Sequence, residues 1–133
     1  MKKEHIPCGC AVDLVLLMSA RDHAEAAIIS EATGENFWMK INEKTPEEFK
    51  KQLKERFIPK NALNELRKAA KTATEGPCDL SDIATATPLR GTHLSTILDM
   101  IDEETEKKDY RGALLHLDMV SDIIVDNAAF ICR

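Results

Sequence analysis

The most reactive residue pattern lies near the start of the chain. His5, Cys8 and Cys10 place one imidazole and two thiols within six residues, and Cys78 and Cys132 lie further on. As thiolates and a neutral imidazole, these three with a fourth sulfur from Cys78 would suit tetrahedral zinc. Closing such a site would tie an N-terminal arm, residues 1–10, to the rest of the fold. The spacing is less persuasive than the chemistry. Structural zinc sites mostly separate paired cysteines by two residues, and no second Cys pair follows. A Cys-x-Cys pair can also be redox-active, although a bridge across a single residue is strained. The reading the spacing favours is four unrelated reduced thiols packed as small hydrophobes, with no cofactor. Zinc at His5, Cys8, Cys10 and Cys78 is the alternative.

Carboxylates form the second candidate. Asp99, Asp102, Glu103 and Glu106 share one face of a helical segment, and Asp118, Asp122 and Asp126 follow at four-residue steps on the next. Asp99 would fall opposite Asp118 if the two segments form a hairpin, and facing carboxylates can hold Mg²⁺ for phosphate chemistry. No Glu-x-x-His pair of the di-iron kind accompanies them. Both stripes also lie roughly 140–160° from the apolar stripe of their own helix, where solvent-facing residues belong. A solvated rim is therefore expected, with a Mg²⁺-dependent all-α enzyme as the alternative. Lys60, Arg67, Lys68 and Lys71 make a basic patch without interleaved aromatics, so nucleic acid is not the expected partner. His23 and His116 fall near apolar helical faces, where hydrogen-bonded packing is the usual role.

The last helical segment offers a surface for another protein. Its core stripe is expected to be Ala113, Leu117, Val120, Ile124, Ala128 and Ile131. A second apolar stripe, Leu115, Met119, Ile123 and Phe130, lies roughly 100–180° away. Asp118, Asp122 and Asp126 flank it, giving an apolar centre with a polar rim. Two apolar faces mean either a helix buried on both sides or a docking face.

The elements that position these residues are read from period and punctuation. A helix over about 11–33 should stop at Gly34 in the left-handed conformation. Its wide apolar arc predicts a central position. Residues 35–44, with Phe37 and Trp38, have no helical period and are expected as a packed loop. Thr45-Pro46-Glu47-Glu48 combines a capping box with proline at the first helical position. Phe49, Leu53 and Phe57 should then be buried, and Pro59 should end or kink that helix. A third helix carries Leu63, Leu66, Ala70 and Ala73 and stops at Gly76-Pro77. A fourth has Leu94, Ile97, Leu98 and Ile101 at i, i+3, i+4, i+7 spacing, and Asp109 can cap a fifth from Tyr110.

The expected fold is one all-α domain over 1–133 with about five helices, bundle-like, ending in an antiparallel helical hairpin. Its 133 residues can bury roughly two-thirds of the unfolded surface. Charge is uneven: residues 40–75 carry a net +4, residues 76–133 a net -6 and residues 1–39 a net -3. These blocks either attract one another inside the fold or present opposite faces. No apolar run approaches the roughly 20 residues of a membrane span. Glu4, His5 and Asp13 interrupt a signal-peptide pattern, so cytoplasmic placement with reduced cysteines is expected. Function is expected to be docking rather than catalysis. The expected role is a small regulatory adaptor or inhibitor, binding another protein or a second copy as a homodimer.

Overall fold

The computed structural model describes residues 8–34, 47–74 and 94–128. Its elements are α1 (Cys10–Thr33), α2 (Glu47–Arg56), α3 (Pro59–Thr74), α4 (Leu94–Glu106) and α5 (Tyr110–Ala128), with no strand among the described residues. The loop expected over 35–44, the caps Thr45 and Pro46 and the 78–87 connector lie outside the described residues.

The helix ends follow local chemistry. Gly34 takes φ 71° and its N–H donates to Ser30 O at 2.9 Å, the left-handed stop that a side chain would resist. Pro59 opens α3 rather than kinking α2, because the first helical position needs no N–H. Asn61 Nδ2 donates to Glu55 O at 2.9 Å and joins the two helices. His23 Nε2 donates to Arg56 O at 2.7 Å, and its ring lies 4.6 Å from that of Phe57. This histidine is a packing latch from α1 to the α2–α3 junction. Between α4 and α5, Lys108 takes φ 61° and Asp109 Oδ1 accepts from Gly112 N at 3.1 Å, the expected cap.

Four helices close a ring. α1 packs on α3 and α5, while α4 packs on α3 and α5, and α2 rests on α3. Successive neighbours run antiparallel. The α1 C-terminus meets Pro59 and Tyr110 around one cleft, whereas Thr74 and Leu94 border a groove at the other end. The result is an up-down-up-down four-helix bundle with α2 as an appendage.

Heptad spacing explains the core. Cys10, Leu14, Leu17, Arg21, Ala24 and Ile28 are buried at alternating steps of four and three, as are Ala113, Leu117, Val120, Ile124 and Asn127. The predicted stripes of α3 and α4 are buried as expected. Leu17, Leu66, Ile97, Ile101 and Leu117 are fully enclosed, each contributing about 1.5–3 kcal/mol of transfer free energy. Arg21 occupies a core position that the apolar pattern passes over. Its stem is buried, and Glu25 accepts from Nη1 at 2.8 Å.

Two burial expectations are corrected. Phe49 is 58% exposed, because α2 is short and packs mainly on α3 through its C-terminal end, next to which His23 and Asn61 donate to Arg56 O and Glu55 O. Ala128, expected in the core, is exposed at the last turn of α5.

Candidate functional site

The expected docking stripe on α5 is largely dismantled by the fold. Ile123 is only 2% exposed and belongs to the core, while Met119 is half-buried. Leu115 stays outside, separated from exposed Val125 by Asp118 and Asp122. Asp126 is half-buried, and Phe130 and Ile131 lie outside the described residues. The reason is geometric: α5 has neighbours on two sides, α1 and α4, and the turn toward them carries Ile123 inward.

The larger apolar face belongs to α1. Val12, Val15 and Leu16, at i, i+3 and i+4, are 62%, 66% and 55% exposed. These spacings make them neighbours on one surface. The sequence shows α1 to be apolar over a wide arc, which is why a central position was expected. The bundle instead buries only its heptad side and leaves these three outward. Beside them α1 carries half-buried Asp13 and exposed Asp22, and the groove that Leu16 and Asp13 line against α3 adds Arg56, Lys68 and Glu65. An apolar centre bordered by carboxylates on α1 and by both charges toward α3 suits an apolar partner face whose Lys or Arg lie on the α1 side.

The acidic rim of α4 has a use inside the fold. Arg67 of α3 donates through Nη2 to Asp99 Oδ1 at 2.6 Å and through Nε to Asp102 Oδ2 at 2.7 Å. This fork holds α3 to α4, and the two carboxylates with their shared charge raise the guanidinium's already high pKa. The basic middle and acidic hairpin thus attract within the molecule, and Asp99 and Asp102 already hold a cation. Glu103 instead pairs with Lys107 at 2.7 Å, which lowers its pKa through the hydrogen bond and the adjacent charge. Buried Glu104 Oε1 lies 2.5 Å from His116 Nδ1 without a hydrogen bond to it, the ring nitrogen instead donating to Gly112 O at 3.0 Å.

Cys8 and Cys10 are not reduced. Cys8 and Cys10 are both disulfide-bonded, and no cysteine is free among the described residues. A sulfur in an S–S bond is no thiolate, so these two do not present the ligands that the zinc reading needs. His5 and Cys78 lie outside the described residues, among which no group of three or more His, Cys, Asp or Glu is placed to hold a metal.

A cleft of about 640 Å³ opens at the end of the bundle bearing the α4–α5 turn. Lys54, Lys60 and Lys108 line it together with Glu31, Asp102, Glu106 and the apolar Phe57, Ile58 and Leu63, so its charge selects no sign of ligand. Ser30 Oγ lines it, buried and without a partner. No sequence motif marks this cleft, because its walls come from five separate segments.

No helix among the described residues is long and apolar enough to cross a membrane. Comparison of the chain with protein-family models, curated proteins and solved structures finds no match.

Proposed function

We propose that this protein is a helical binding module of the adaptor or inhibitor type. It would dock a basic amphipathic segment of another protein on the outer face of α1. The observation that carries this reading is the contiguous exposure of Val12, Val15 and Leu16. Asp13 and Asp22 of α1 supply charge complementarity and would steer the encounter. The face replaces the α5 stripe as the anchor. Cytoplasmic placement rested on reduced thiols; with Cys8 and Cys10 disulfide-bonded it is not carried into this reading.

A short Leu/Lys amphipathic peptide is the probe, with binding followed by fluorescence anisotropy. Saturable, salt-sensitive binding is expected, weakened at least about tenfold in Val12→Gln/Leu16→Gln. Circular dichroism should show the variant folded, since both positions face solvent. Binding unchanged by the double substitution, or no saturable binding, would refute the α1 face. A wild-type dimer in sedimentation equilibrium that the variant abolishes would instead make a second copy the occupant.

A further inference from the structure

Two of the four cysteines in the chain are disulfide-bonded, and the backbone decides what they can reach. Gly9 is in the right-handed helical region and Ala11 N donates to Cys8 O at 3.1 Å, so residues 8–10 already follow the helical path into α1. Positions i and i+2 on such a path point to nearly opposite sides. Cys8 is exposed and Cys10 is buried at 2%. Their β-carbons are therefore too far apart for the roughly 3.5–4.5 Å that a disulfide requires. Each must bond to another sulfur, and the sequence holds two more, Cys78 and Cys132.

Sequence separation from the described helix ends leaves both within reach. α1 runs antiparallel to α3 and α5, so its N-terminus lies at the end where those helices finish, at Thr74 and Ala128. Cys78 and Cys132 each follow one of these ends by four residues. Four extended residues span up to about 14 Å, more than the ~8–10 Å between packed helix axes. We infer that Cys8 and Cys10 bond one each to Cys78 and Cys132. Two disulfides would then clamp the start of α1 to the chain following α3 and to the chain following α5.

The chemistry balances with a disulfide-donor oxidant. In each bridge a cysteine thiolate attacks the donor's S–S bond and forms a mixed disulfide, releasing one donor thiol. The second cysteine then displaces the other. Four protein thiols lose four electrons and four protons, and two donor disulfides become dithiols. Such bridges persist where oxidation is sustained, which sets the compartment this fold suits against a reducing cytosol.

Trypsin digestion of the non-reduced protein, refolded in a glutathione redox buffer and alkylated, tests the pairing. Residues 4–21 contain both Cys8 and Cys10, whereas Cys78 lies in 72–90 and Cys132 in 112–133. The expected product is one species joining all three peptides, falling into three on reduction. A free 4–21 peptide lighter by two hydrogens, with 72–90 joined to 112–133, would overturn the assignment, as would alkylated cysteines. In Cys78→Ser one of Cys8 and Cys10 should become alkylatable, which identifies its partner; if that variant does not fold, the wild-type digest still decides. Reduction should lower Tm by at least about 10 °C, and an unchanged Tm would refute the clamp.

Discussion

The two ends of the bundle are held by different chemistry. At one end the start of α1 carries two disulfide-bonded cysteines, and 19 residues of sequence separate α3 from α4 there. At the other, three residues connect α4 to α5, and the connection rests on backbone geometry and hydrogen bonds alone. Lys108 accepts a left-handed conformation there, Asp109 caps α5, and Gly112 lets the Glu104 carboxylate lie against the helix beside His116. A short connection is held by local contacts because little chain entropy opposes closing it. Distant segments gain most from a covalent link, since more unfolded-state freedom is removed.

The largest effect is expected from breaking the cysteine end. Cys10→Ala should cost about 2–5 kcal/mol, read from urea unfolding under oxidising conditions, and most of the loss should disappear when both proteins are reduced. At the opposite end, Gly112→Ala should cost about 1–3 kcal/mol. The added methyl would meet both the Glu104 and the Asp109 carboxylates, so either the cap or the Glu104–His116 contact must give way. The comparison fails if the two substitutions have equal effects that ignore redox state.

Midway between the ends, Arg67→Gln should lose about 1 kcal/mol, with the deficit shrinking in high salt because the fork is partly exposed. Lys108→Gly should stabilise by roughly 0.5 kcal/mol, as relief of the left-handed conformation outweighs the added freedom of the unfolded chain. Glu103→Gln is expected to have the smallest effect. Pairing with Lys107 lowers the Glu103 pKa in the folded state, so its contribution is present above the ordinary carboxylate range. It is lost as pH falls through the lowered value, and urea midpoints of variant and wild type should converge in acid.

Much of the fold is legible in the sequence. Gly34, Pro59 and Asp109 mark helix limits because they act on their own backbone, and the apolar steps of α3 and α4 name the core side of each. The candidate site was harder to read. The α5 stripe runs through Ile123, which the fold buries, and the exposed trio on α1 is masked in the sequence by a helix apolar over a wide arc. Arg21 and Asn127 hold heptad positions, but a search for apolar periodicity passes over polar residues. Their 4-3 spacing was the signal available.

Helix number, limits and the inward side of each simple amphipathic helix were thus determined by the sequence, because capping, proline and apolar period are local properties. The outward side of α1, the interior position of Ile123, the fork from Arg67 to Asp99 and Asp102, and the bonded state of Cys8 and Cys10 were decided by the tertiary structure. Each depends on which neighbour a helix meets. The distance between two sulfurs or a guanidinium and a carboxylate exists only once four helices have closed into a ring.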